Sequence, residues 1–88
     1  MPRLLVIDDH EDMRRLTATL LEYAGYDVML ADSGEEGVLL AQLHHPDLIV
    51  MDVFMPQMSG LQLAAVIQSQ IGRKKPLLIA HSATDGQP

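Results

Sequence analysis

The sequence predicts one α/β domain over residues 1–88, built on a doubly wound parallel sheet. Two short, continuous apolar runs, residues 4–7 and 48–51, are typical of strands buried on both faces of a parallel sheet. Each run leads directly into aspartate. Helical and strand patterns alternate along the rest of the chain, which indicates β-α-β units with right-handed crossovers.

The first half of the chain predicts two helices and an edge strand. A helix over residues 11–24 follows the first strand, with Asp9 or His10 as candidate caps and Gly25 at its end. Asp27–Ala31 is a short, partly apolar strand. A capping box, Ser33-Gly-Glu-Glu, then opens a helix to about His44. The apolar residues that share one stripe of the first helix are Met13, Leu16, Leu20, Leu21 and Ala24, and those available for burial in the second are Val38, Leu39, Ala41 and Leu43.

The second half predicts strand Leu48–Asp52, a helix over residues 61–71 and a fourth strand, Leu77–His81. The first and third strands are the most apolar and belong at the centre, which gives the strand order 2-1-3-4. Ligands of such sheets bind at the point where the winding reverses, beyond the carboxyl ends of the strands. Asp8, Asp9 and Asp52 all fall at that point.

Composition narrows the class of protein. Apolar residues make up 48% of the chain and aromatic residues 3%, so the core is aliphatic, and the absence of cysteine excludes thiolate metal sites. The net charge of −6 argues against nucleic-acid binding. No run approaches the roughly 20 apolar residues of a membrane span, and no signal peptide is evident, so we expect a cytoplasmic protein with no membrane contact.

Three crowded aspartates require either a retained proton or a bound cation. Oxygen ligands favour a hard cation, Mg²⁺ or Mn²⁺, over zinc. A carboxylate beside such an ion can attack phosphorus and form an aspartyl phosphate. A hydrolase with an aspartyl nucleophile typically has Asp-x-Asp after the first strand; residue 10 is His, which disfavours that alternative.

Four motifs in order resemble the receiver domain of bacterial two-component response regulators. They are Val6-Ile-Asp-Asp9, Leu48-Ile-Val-Met-Asp52, Met55-Pro56 with Gly60, and Ile79-Ala-His-Ser-Ala83. The resemblance implies a flavodoxin-like fold and a phosphoacceptor that is not itself an enzyme beyond its own phosphotransfer and dephosphorylation. It also implies a sensor histidine kinase or phosphotransfer protein as partner.

The resemblance also implies a role for each site residue. Asp52 would accept the phosphoryl group. Asp9, Asp52 and the backbone carbonyl of Phe54 would hold Mg²⁺, and Asp8 would act through water. Ser82 would be the hydroxyl that senses the phosphate.

The chain also departs from the family pattern. The sequence ends at Pro88, before the place of the family's fifth strand, its lysine and the last helices, so we expect a C-terminally truncated receiver domain that ends after strand 4. Strand 4 would then be an open edge, so we expect a homodimer or a swap of elements through that edge. The alternative function is a fragment that cannot be phosphorylated and acts through dimerisation.

Overall fold

The computed structural model describes residues 2–52 with their side chains, the helical residue Ala65, and the backbone of strand 77–81. The elements in this part of the chain are β1 (Arg3–Ile7), α1 (Glu11–Tyr23), β2 (Asp27–Ala31), α2 (Gly34–His44), β3 (Leu48–Asp52) and β4 (Leu77–His81). The predicted bounds of these elements are confirmed to within about one residue. The helix predicted over residues 61–71 lies, apart from Ala65, outside the described residues, and the extent of the domain over 1–88 stays a prediction.

The four strands form one parallel sheet in the predicted order, β2-β1-β3-β4. One face of the sheet packs on α2 through a core of Leu5, Ile7, Ala31, Ala41, Ile49 and Met51. Leu4 and Val6 of β1 are equally buried and alternate onto the opposite face. Helix α1 lies over β1 and β2 on that opposite face, because both crossovers are right-handed.

The helix ends follow the sequence signals with one exception. Ser33 Oγ accepts a hydrogen bond from the Glu36 N–H at 3.1 Å, while the Glu36 carboxylate reaches back to the Asp32 N–H at 2.9 Å. This capping box, with its return bond displaced by one residue, starts α2. Gly25, at φ 102°, follows the end of α1. His10, one of the two candidate caps, is confirmed at the N-cap position of α1, but its side chain makes no capping bond.

Helix α2 rests on the sheet through its smallest residues. A Cβ built on Gly37 would stand 2.4 Å from Ile7 Cδ1, so glycine lets the helix backbone approach β1 closely. Gly37 and Ala41 are buried, and this rotation of the helix leaves Leu39 and Leu43 exposed at 55% and 63%. The prediction that these two leucines are buried is therefore wrong.

Helix α1 also presents apolar side chains to solvent. Leu16 and Leu20 are 52% and 61% exposed, and Tyr23 one turn later is exposed as well. Of the residues on this helix, Ala18 is the one buried side chain. The predicted apolar stripe is therefore only partly used for packing within the described part of the chain.

Candidate functional site

Strand register brings residues from distant parts of the sequence to one edge of the sheet. Ile7 of β1 pairs with Met51 of β3, so Asp8 and Asp52 follow at neighbouring positions. The Asp8 N–H donates to the carbonyl of Ala31 at 3.1 Å, which extends the β1–β2 ladder by one step. This edge is the carboxyl end of the strands, where the sequence predicted a site.

The three aspartates differ in exposure but converge in space. Asp8 and Asp52 are fully buried, and the side chain of Asp9 is 25% exposed. One ligand atom from each of the three, together with one from His10, lies within 4.8 Å of all the others. We call Asp8, Asp9 and Asp52 the acid cluster.

His10 is the basic side chain that the structure places against the acid cluster. Its Nδ1 lies 3.3 Å from Asp8 Oδ1, 3.2 Å from Asp9 Oδ1 and 3.6 Å from Asp52 Oδ2. The hydrogen bond with Asp8, and next the attraction of the Asp9 charge, raise the pKa of His10 above its ordinary value, although desolvation opposes them. These contacts favour the protonated imidazole, which is a counter-ion for the cluster.

Comparison with known proteins decides the family. The sequence model of the "Response regulator receiver domain" matches residues 4–87, nearly the whole chain. This chain belongs to the response regulator receiver domain family. The alkaline phosphatase synthesis transcriptional regulatory protein PhoP of Bacillus subtilis is 40% identical over 77% of the chain. The CAI-1 autoinducer sensor kinase/phosphatase CqsS of Vibrio cholerae is 35% identical over 98% of it.

Solved structures agree with the family and with the flavodoxin-like fold. The chemotaxis protein CheY4 of Vibrio cholerae superposes with a TM-score of 0.76 and 36% identity, over 89% of this chain and 67% of that one. The receiver domain described here spans 28% of the length of PhoP and 12% of CqsS. In the described part of the chain, no helix has the length and apolar character needed to cross a membrane.

The receiver domain's acid cluster fits a hard divalent cation. Asp8 Oδ2 is buried and accepts no hydrogen bond from the residues that the structure describes, which is costly for a charged oxygen unless a ligand meets it. All the candidate donors except His10 are carboxylate oxygens, the ligand type that Mg²⁺ prefers. The 4.8 Å span lets these atoms surround one ion with bonds of about 2.1 Å after a small contraction.

The structure brings together only some of the predicted site residues. Asp8, Asp9 and Asp52 meet as described, while their individual roles stay predictions. Phe54 and Ser82 lie outside the described residues. The register pairs Asp52 with His81 of β4, the residue just before Ser82.

Two residues near the acid cluster were missed by reasoning from the sequence. The sequence predicts His10 as a candidate helix cap, and this residue disfavours an Asp-x-Asp hydrolase, but its position directly after two aspartates also signals a place in the cluster. Arg14, one turn into α1, donates from Nη1 to the carbonyl oxygen of Asp8 at 2.9 Å. This bond fixes the backbone on which the first carboxylate stands, and no sequence pattern indicates it.

Proposed function

We propose that this receiver domain accepts a phosphoryl group on Asp52 and thereby switches an output in a two-component phosphorelay. The observation that carries the proposal is the meeting of Asp8, Asp9 and Asp52 at the carboxyl edge of the sheet, with their ligand atoms within 4.8 Å. Family membership supports it, because the matched region contains all three aspartates.

The residues of the acid cluster have different proposed roles. We assign Asp9 and Asp52 as direct ligands of Mg²⁺ (or Mn²⁺), with the Phe54 carbonyl as a third ligand and Asp8 acting through water. When bound, the ion neutralises the carboxylates and the charge on the transferring phosphoryl group. Ser82 is assigned as the hydroxyl that contacts the bound phosphoryl group.

The proposed reaction is an in-line displacement at phosphorus. A carboxylate oxygen of Asp52 attacks the phosphorus of a phosphohistidine; the P–O bond forms as the P–N bond breaks, and the donor imidazole leaves and takes up a proton. Hydrolysis later returns the carboxylate and inorganic phosphate. Burial of Asp52 favours transfer over random reaction with water, because few solvent molecules reach the bond.

The phosphoryl donor in this proposal is a sensor histidine kinase or a phosphotransfer protein in the cytoplasm. The receiver domain contributes only its own phosphotransfer and dephosphorylation, so we do not class it as an enzyme with a separate substrate. The output is a domain or target that these residues do not include.

Phosphorylation by a small donor tests the proposal. Incubation with acetyl phosphate and Mg²⁺ should add the mass of one phosphoryl group to the intact chain, and hydroxylamine should remove it, as expected of an acyl phosphate. Asp52→Asn should abolish the mass increase. Asp32→Asn changes an exposed acid in the turn before α2 and serves as the matched control, which should be phosphorylated normally. Equal incorporation in the Asp52 variant would overturn the assignment.

A second candidate function is an interaction module that dimerises without phosphorylation. It is favoured by the exposed apolar residues Leu16, Leu20 and Tyr23 of α1, and by the position of β4 at the end of the described sheet. An edge strand offers unpaired backbone groups to a second copy. Light scattering at a concentration on the order of tens of micromolar should then give a dimer mass. A monomer mass that persists on concentration would exclude this candidate.

A further inference from the structure

We propose that His10 is a direct nitrogen ligand of the metal site, so that the site binds an imidazole-preferring divalent ion such as Zn²⁺ more tightly than the aspartates alone would. The inference rests on the proposed function, because it concerns the same acid cluster. It adds one donor to that cluster and predicts a change in metal selectivity.

The first support is distance. Two adjacent ligands of one ion, with bonds of about 2.1 Å, lie roughly 3.0–3.4 Å apart in octahedral or tetrahedral geometry. His10 Nδ1 lies 3.2 Å from an oxygen of Asp9, 3.3 Å from one of Asp8 and 3.6 Å from one of Asp52. The nitrogen therefore already stands near the spacing at which it and the carboxylates share an ion.

The second support is the buried oxygen beside it. Asp8 Oδ2 is shielded from water and accepts no hydrogen bond from the described residues. A buried carboxylate oxygen in this state calls for a positively charged ligand. An ion bound by His10 would supply that positive charge within reach of Asp8. The resemblance to receiver domains implies only a contact through water for Asp8.

The third support is how His10 is held. Its own N–H donates to Asp8 Oδ1 at 2.9 Å, which fixes its backbone beside the acid cluster, and its side chain makes no capping bond to α1. Its side chain is 52% exposed, so the ring has room to adjust toward an ion. A nearby imidazole that is fixed by its backbone loses little freedom on coordination.

The chemistry of the donor set then sets the selectivity. Carboxylates alone suit Mg²⁺ and Mn²⁺, whereas imidazole suits Zn²⁺, Ni²⁺ and Cu²⁺. A competing interpretation is that the His10 imidazole occupies the position of the ion and must move away when the ion binds. The two interpretations predict opposite changes when the imidazole is removed.

The experiment compares Zn²⁺ and Mg²⁺ binding by calorimetry, at one fixed pH, for the whole chain and its variants. If His10 is a ligand, His10→Ala should weaken Zn²⁺ binding about tenfold or more, the scale of loss known even for outer-shell partners of metal ligands, and should change Mg²⁺ binding much less. His44→Ala, at the far end of α2, is the matched control for imidazole loss and should change neither. Imidazole ¹⁵N NMR with Zn²⁺ should show a metal-dependent shift at Nδ1 of His10.

Each other result decides against the ligand role. Tighter binding of both ions by His10→Ala would show that the imidazole competes with the metal. Unchanged Zn²⁺ binding, or no shift at Nδ1, would show that it takes no part. Asp9→Asn separates this inference from the proposed function: if that variant loses Mg²⁺ while His10→Ala has no effect, only the His10 inference fails. If the unmodified chain binds neither ion, the inference and the metal assignment fail together, and acetyl phosphate labelling still tests Asp52.

Discussion

Acidic residues have different surroundings at the two ends of the sheet. At the amino end, the Arg3 N–H donates to Asp47 Oδ2 at 2.9 Å, and Arg3 Nε lies 3.7 Å from Asp27 Oδ2. Arg3 Nη1 also donates to the carbonyl of His44 at 3.0 Å. We call Arg3, Asp27 and Asp47 the amino-end clasp, in which each acid has a basic or N–H partner.

At the carboxyl end, the same strands deliver acids that face one another. Arg14 does not pair with a carboxylate in this contact, because its Nη1 donates to the backbone carbonyl oxygen of Asp8. Among the described residues, His10 is the basic side chain that lies against these acids, and it carries a positive charge only when it is protonated. The difference teaches that one end of the sheet is arranged for stability, whereas the other keeps mutual repulsion that a cation relieves.

Gly37→Val should have the largest effect, because it disturbs the carboxyl end through the core. The new side chain would press on Ile7, the residue before Asp8, at a site where even a Cβ is 2.4 Å from that neighbour. Overpacking of this kind costs about 2–3 kcal/mol in the free energy of unfolding, measured by urea denaturation.

The control for this substitution is Glu35→Val, which places the same side chain on the exposed part of α2. It should cost the helix propensity of valine and the loss of one first-turn acid, together about 1 kcal/mol. Similar losses in the two variants would show that the close approach of α2 to β1 is not needed.

Mg²⁺ should raise the free energy of unfolding through the acid cluster at the carboxyl end of the sheet, and not through the amino-end clasp. At about ten times its Kd, the ion should raise the free energy of unfolding by roughly 1.4 kcal/mol. Asp9→Ala should abolish this rise because it removes a proposed ligand, whereas Asp47→Ala should keep it because it changes only the amino-end clasp. Thermal melts with and without Mg²⁺ measure both; a rise that survives in the Asp9 variant would contradict the site.

Without metal, the two ends should respond with opposite signs. At a pH above the raised pKa of His10 in the folded chain, where its imidazole is neutral, Asp9→Asn should stabilise the fold by about 0.5–1 kcal/mol because it removes repulsion. Asp47→Asn should destabilise it by about 0.5–1 kcal/mol because it weakens the bond to the Arg3 N–H. Urea denaturation in chelator gives both values, and equal signs would remove the contrast between the two ends.

The smallest effect concerns pH. The pKa of His10 is raised in the folded chain, so its contribution to stability is fully present below its unfolded value of 6.5 and is lost as pH rises through the folded pKa. In chelator, the difference in melting temperature between the unmodified chain and His10→Gln should therefore shrink as pH increases. A difference that grows with pH would show that the imidazole does not pair with the acids.

Much of the fold could be predicted from the sequence because its signals are local. Residues 4–7 and 48–51 are apolar without interruption, and the capping box at Ser33 marks a helix start. The strand order followed from relative hydrophobicity, which placed Asp8 and Asp52 at one edge. Their convergence is a consequence of parallel register, so the position of the site could be predicted as well.

Other features could not be predicted because they depend on side-chain direction and close packing. The exposure of Leu39 and Leu43 is set by the contact between Gly37 and Ile7, which no helical periodicity reveals. The ring of His10 lies against the acid cluster although the residue is the N-cap of α1, and this depends on side-chain direction. The bond from Arg14 to a carbonyl likewise exists only in three dimensions.

The pairing of β1 with β3 gives the acid cluster a mechanical consequence. An ion held between Asp9 and Asp52 would cross-link two segments that are far apart along a chain with no cysteine. Such a link closes a long loop, as a disulfide does, and restricts the unfolded chain. Unlike a disulfide, it can be made and removed within seconds by changing the concentration of free ion.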